Sequence, residues 1–138
     1  MTRLIGSGIV VTAMATFSTD TGIDFATLVR PSTPNTYLVC PRDRCAVAPD
    51  EESPVYGISA ENLYQLVLAT LLAQPRTQLA QNQAELWRLV LIQRSLVFRF
   101  PDTVTVQVFA RPNGRSTLAM YSRSNYGRSD LGVNRRRV

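Results

Sequence analysis

From Leu86 to Met120 the chain alternates apolar and polar positions in the period of two that an extended strand imposes. Val90, Ile92, Leu96, Phe98 and Phe100 are predicted to lie largely on one face of a long strand. Val104, Val106 and Val108 repeat the pattern in a second, and Leu118 and Met120 in a third. Pro101 and Asp102 are expected to turn the chain between the first two, since proline suits the first turn position and aspartate the second. Pro112, Asn113 and Gly114 turn it again, and here the apolar pattern decides the register. A two-residue Asn-Gly turn would set Val108 opposite Ala119 and send Leu118 to the polar face. A three-residue loop with Gly114 left-handed sets Val108 opposite Leu118 and Val106 opposite Met120, so that loop is expected.

Upstream the apolar period lengthens to that of a helix. Ser59 is placed to cap it, Glu61 sits in its first turn and Pro75 lies beyond its end, which predicts a helix over about Ala60 to Ala73. Leu63, Leu66, Val67, Thr70 and Leu71 fall on one stripe fit to cover a sheet. Tyr64, Leu68 and Leu72 make residues 60–73 apolar on a second side, which leaves room there for a protein partner or a second copy. Thr77 to Gln81 reads as a modest strand, Asn82 to Glu85 as a turn or bulge, and Trp87 as a packing anchor. Ser18 to Thr36 reads as irregular apart from a short turn at Phe25 to Leu28, and Asp50 to Pro54 as an acidic turn. The sum is an α+β domain: an antiparallel meander of about four strands covered by at least one helix.

The ends of the chain depart from these periods. Met1 to Phe17 has a positive start, an apolar run and the small-x-small triplet Ala13, Met14, Ala15, the outline of a secretory signal peptide. The alternative is a buried first strand from Gly8 to Thr16. Residues 18–138 then form a single domain. With export, the setting is the periplasm or cell envelope, the alternative being the cytoplasm. From Ser122 onward the chain turns dense in Arg, Ser, Asn and Gly and is expected to begin as a loop. Ser129, Asp130 and Leu131 are placed to start a short terminal helix, with Arg135, Arg136 and Arg137 toward its C-terminal end, as the helix dipole prefers.

Composition narrows the chemistry. All fifteen basic residues are arginine, and histidine is absent as well as lysine. A His general base, a His metal ligand, a Lys Schiff base and a phosphate-loop lysine are thereby excluded. Cys40 and Cys45 alone do not complete a zinc site within one chain, so neither a metal nor a cofactor is expected. In an exported protein these two cysteines most simply form a disulfide, worth about 2 kcal/mol for so short a ring. In the cytoplasm they would be free thiols, and their spacing is two residues wider than a C-x-x-C redox motif.

The net charge of +5 is uneven. From Arg111 to Val138 seven arginines face one acid, Asp130, a net +6, which leaves the preceding residues at −1. Such an end suits an anionic small molecule, a lipid headgroup or an acidic protein surface; nucleic acid is disfavoured because no recognition motif accompanies the tail. Arg123, Arg128 and Arg135, with Ser124, Tyr126 and Asn134, are candidates for a guanidinium-lined pocket, because arginine grips phosphate or carboxylate with paired hydrogen bonds. The internal alternative is a lock in which Asp102 or Asp130 receives a fork from Arg94, Arg123 or Arg135. An enzyme would have to use Asp102 or Asp130 as general base, or Cys40 or Cys45 as thiolate, and no catalytic residue is assigned.

The tail from Ser122 to Val138 carries a serine–arginine, glycine, aspartate–leucine–glycine, asparagine–arginine series. In it the chain resembles the bacterial and plastid proteins grouped as domain of unknown function 1499. Arg94 and Ser95 with Phe98 to Asp102 resemble that family's central strand-and-aspartate motif. Pro34 and Asn35 with Cys40, Pro41 and Cys45 resemble its leading proline- and cysteine-bearing segment, although the family often places the proline and asparagine inside the cysteine loop. The likeness runs from about Asp24 to Val138. It implies no reaction, and it implies an envelope or lumenal setting.

Overall fold

A computed structural model of the chain describes residues 23–31, 35–96 and 100–124. The expected signal peptide or first strand at 1–17 and the terminal helix at 129–137 lie outside the described residues. The described part is an α+β fold with a single α-helix, α1 (Ala60–Leu72), on a mixed sheet of six strands. They are β1 (Thr36–Cys40), β2 (Glu51–Glu52), β3 (Thr77–Gln83), β4 (Arg88–Arg94), β5 (Pro101–Arg111) and β6 (Arg115–Ser124), in the spatial order β2-β1-β6-β5-β4-β3.

The expected four-strand meander is therefore β3 to β6, and two strands extend it. β1 pairs antiparallel to β6, and the two-residue β2 pairs parallel to β1 at the edge. Residues 50–54, expected as an acidic turn, supply β2: Asp50 Oδ2 accepts from Leu38 N–H at 2.8 Å, which draws the segment onto β1 and lets Glu51 and Glu52 pair. A turn this close to a strand edge gains backbone partners by joining it.

The β5–β6 register is the one the apolar pattern predicts: Val108 faces Leu118 and Val106 faces Met120 across a loop at Pro112–Gly114. Asn113 (φ 64°) and Gly114 (φ 70°) both take left-handed backbone, which Asn and Gly tolerate best. Pro101 and Asp102 do not turn the chain. Pro101 opens β5, a strand position that asks no N–H of proline, and Asp102 is a buried strand residue opposite Gln93 and Ser124. The turn comes earlier, after β4 stops at Arg94, so Leu96 and Phe100 are exposed rather than on the strand's buried face, and Phe98 lies outside the described residues. The loop expected from Ser122 also gives way, since β6 runs on to Ser124.

Both faces of the sheet are covered, which is why β4 reads as a continuous apolar run with Leu89, Val90 and Leu91 all buried. On one face Leu89, Leu91, Val104, Val106, Val108, Leu118 and Met120 pack under Ala60, Leu63, Tyr64, Val67 and Leu71 of α1. Ser59 Oγ accepts from Asn62 N–H at 3.1 Å and caps the helix as predicted. The buried stripe is turned by part of a turn from the expected one: Tyr64 is inside and Leu66 is 57% exposed. Tyr64 pays for its place by donating its hydroxyl hydrogen to Asn82 Oδ1 on β3, a partner that Leu66 has no use for. Trp87, left-handed at φ 51°, packs partly buried against this core, as an anchor should. On the other face Phe25, in a short 3₁₀ turn at Phe25–Thr27, packs with Leu28, Leu38, Cys40, Ala119 and Tyr121.

Leu91→Ala removes a side chain that is 1% exposed beneath α1 and should lower the unfolding free energy by about 3 kcal/mol. Leu72→Ala, at the half-wet end of the same helix, should change it by less than about 0.5 kcal/mol. Urea denaturation with a shifted midpoint and an unchanged slope would confirm the difference; equal shifts in the two variants would refute this packing.

Candidate functional site

Antiparallel pairing decides which of the candidate residues can act together. Asp102 stands opposite Gln93 and Ser124, and their alternate neighbours Leu91, Val104 and Ser122 share the helix-covered face. Asp102 and Ser124 are each 8% exposed. Asn35 fastens this end of β6 from outside: its Nδ2 donates to Ser124 O at 3.2 Å and its carbonyl accepts from Ser124 N–H at 3.0 Å. Arg94 and Arg123 lie on the opposite face, because Arg94 follows Ile92 by two residues and Ile92, Thr103, Arg123 and Thr36 form one cross-strand row. Adjacent residues of a strand point apart. The straight cross-strand fork from Arg94 or Arg123 to Asp102 is thus not available. Tyr126, Arg128, Asp130, Asn134 and Arg135 lie outside the described residues.

Arg94 instead meets an arginine that sequence reasoning passed over. Arg94 N–H donates to Arg76 O and Arg76 Nε donates to Arg94 O, each at 3.0 Å. Arg76 leads α1 into β3 with left-handed backbone at φ 56°. That conformation costs a non-glycine residue about 1 kcal/mol, and the reciprocal bonds to Arg94 hold it. The preceding carbonyl is held too, since Pro75 O accepts from Gln93 Nε2 at 3.2 Å and Thr77 Oγ1 at 3.1 Å. Nothing local in the sequence marks Arg76, because arginine is not a residue that prefers positive φ.

Arg76, Thr77, Gln78, Ile92 and Arg94 line an open cleft of about 450 Å³. Two of these residues are arginines, and among the described residues none that lines it is acidic. Across the sheet, Arg123 stands two strands from Ile92, about 10 Å at ordinary strand spacing. On the helix side of the same end Leu71, Leu91 and Val104, with Gln74, Thr77 and Gln93, enclose only about 10 Å³, so the core is shut there and the opening belongs to the arginine face.

The other end of the sheet is built differently. Cys40 and Cys45 are joined, with Cα atoms 6.4 Å apart, and close the loop that follows β1. Two interactions of that loop fasten it to the β5–β6 hairpin. Asp43 takes a fork from Arg111, with Nη1 donating to Oδ2 at 2.8 Å and Nη2 to Oδ1 at 2.6 Å, and the Arg44 guanidinium lies 4.8 Å from the centre of the Phe109 ring. The Arg111 hydrogen bond holds the Asp43 carboxyl below the usual carboxylate range. The ion pairs among the described residues, Arg111–Asp43, Arg30–Asp50 and Arg42–Glu52, all involve acids other than those the sequence suggested. A 68-residue separation between Arg111 and Asp43 leaves no local signal to read.

Residues 28–138 match the family model of a protein of unknown function, DUF1499. No curated protein and no solved structure matches the chain.

Because the folded carboxyl of Asp43 titrates below its unfolded value, its contribution to stability is complete above about pH 4 and is lost as the pH falls through the folded value. Asp43→Asn should therefore melt below wild type at neutral pH, and the two melting temperatures should converge in acid. A gap that stayed constant from neutral pH into acid would remove the fork from any role in holding the loop.

Proposed function

The chain belongs to the DUF1499 family, and on that footing we propose that it is a non-enzymatic binding module of the cell envelope, taking an anionic ligand through arginines at one end of its sheet. The supporting observation is the open cleft lined by Arg76 and Arg94 beside Thr77, Gln78 and Ile92. Guanidinium groups grip phosphate or carboxylate in paired hydrogen bonds, and two of them beside one opening reinforce each other. Arg123 shares the face, and Arg128 follows it by five residues, within about 17 Å of extended chain. The Arg-rich C-terminal motif, with Ser124, Tyr126, Asn134 and Arg135, thus starts from the strand end nearest the cleft.

A binding role suits the side chains at hand. With neither His nor Lys in the chain, arginine holds an anion without supplying a titratable group near neutral pH. The joined Cys40 and Cys45 support the envelope setting, since disulfides persist in oxidising compartments. Asp102, buried on the helix side, is assigned to fold support rather than to the ligand.

Calorimetric titration with inorganic phosphate tests the cleft. Wild type should bind more weakly as salt rises, and Arg76→Gln or Arg94→Gln should each weaken binding about tenfold, the usual worth of a charge-assisted hydrogen bond. Phosphate affinity that ignored both substitutions would remove the cleft from the function. Thiol titration of protein alkylated in whole cells, with and without reductant, tests the setting: thiols that react only after reduction support it, and freely reactive thiols overturn it.

A further inference from the structure

The two edges of the sheet are unlike. β2 is two residues long and both are glutamates, whereas β3 runs for seven residues beside β4 with, among the described residues, no strand on its outer side. Gln78, Leu79, Ala80 and Asn82 are exposed along it. The register says which of its backbone groups face outward. Arg94 N–H donates to Arg76 O, so Arg94 and its alternates Ile92, Val90 and Arg88 aim their backbone groups at β3, where Gln78, Gln81 and Gln83 stand opposite the last three. Leu79 and Asn82 fall between those positions. Their N–H and C=O groups therefore point away from the sheet.

A long free edge is a template for another strand, and proteins guard it with charge, proline or a bulge. From Thr77 to Gln83 there is neither a charged residue nor a proline. The bulge is present, between Leu79 and Gln81, and it selects a partner rather than refusing one. A regular strand laid along β3 would fall out of step on one side of Ala80. A second copy running antiparallel carries the same extra residue at the symmetry-related place. A twofold axis between Ala80 and Gln81 then sets Leu79 of each copy opposite Asn82 of the other, outward-pointing groups against outward-pointing groups. The two residues share a face, since in β3 they stand opposite Leu91 and Leu89, as a cross-strand pair requires. The same register brings Arg76, just before β3, toward Glu85, just after it, of the other copy. A parallel copy would set Arg76 beside Arg76. Exposed ion pairs add little affinity, so this contact serves direction and register.

We propose that β3 is a homodimer interface, in which two copies join antiparallel about an axis between Ala80 and Gln81 and continue one sheet through both. Leu79, 38% exposed in the single chain, is covered by the pairing. The dimer goes beyond the anion site, which neither requires it nor falls with it.

Sedimentation velocity over about a hundredfold range of concentration tests the association, and amide exchange tests its place. Wild type should pass from monomer to dimer as concentration rises, and the Leu79 and Asn82 amides should exchange at least about tenfold more slowly in the dimer. Ala80→Lys and Ala80→Glu set like charges beside the axis, so each alone should weaken self-association about tenfold, and an equal mixture of the two should recover the dimer. Ala80 is exposed, so both variants should melt with wild type and bind inorganic phosphate as wild type does; if either melts lower, the exchange of wild type decides in its place. A wild type that stays monomeric up to about 1 mM overturns the proposal. So does a dimer that survives both single substitutions, or a mixture that stays monomeric while both variants are folded. Leu79 and Asn82 amides that exchange slowly in the monomer also overturn it, by showing that the edge is already taken within one chain.

Discussion

The pairing of β5 with β6 is the constraint on which the rest depends. It runs from Asp102 opposite Ser124 to Arg111 opposite Arg115, and every other strand is referred to it: β4 and then β3 on one side, β1 and then β2 on the other. A register slip of one residue would exchange the faces of a whole strand. Val104, Val106 and Val108 would then turn away from α1, and Thr103 and Thr105 would be pressed under the helix. The left-handed Asn113 and Gly114 therefore do more than reverse the chain. They decide that the apolar row lies under α1, and by the same parity that Asp102 lies on the helix side while Arg123 lies on the other.

That dependence explains what sequence alone can read here. Val106, Val108, Leu118 and Met120 sit in a short-range alternation around a loop whose residues fix its length, so strand, loop and register follow from neighbouring positions. The cap at Ser59 is local in the same way. Pro101 was misleading because a proline can open a strand as readily as it can shape a turn, and only the hydrogen bonds from Ser95 to Phe100 show where the reversal lies. β2 is two residues long and owes its existence to Leu38 and Asp50, so no periodicity announces it. Of the candidate site, Arg94 and Arg123 were recognisable as cations, but their separation from Asp102 is a matter of parity across three strands, and Arg76 enters through a turn that its own residue type argues against.

Charge takes its meaning from the same geometry. At the end of the sheet that holds the Pro112–Gly114 loop, cations are consumed internally: Arg111 by Asp43, Arg44 by the Phe109 ring. These contacts fasten a loop that Cys40 and Cys45 already close, so the local order is set by covalent, ionic and aromatic contacts together. The contribution of each exposed ion pair alone is small. Their value lies in acting on a segment whose freedom the ring has already reduced, because less entropy remains to oppose them.

The opposite end inverts this arrangement. There the Arg94 N–H donates to the Arg76 carbonyl and Arg76 Nε donates to the Arg94 carbonyl, so two arginine residues are seated at the rim of one cleft. Like charges gathered at one opening raise the local potential. Holding Arg76 in left-handed backbone to achieve this adds a further local cost. That cost is borne where the arginine-lined cleft opens, the feature on which the proposed anion site rests.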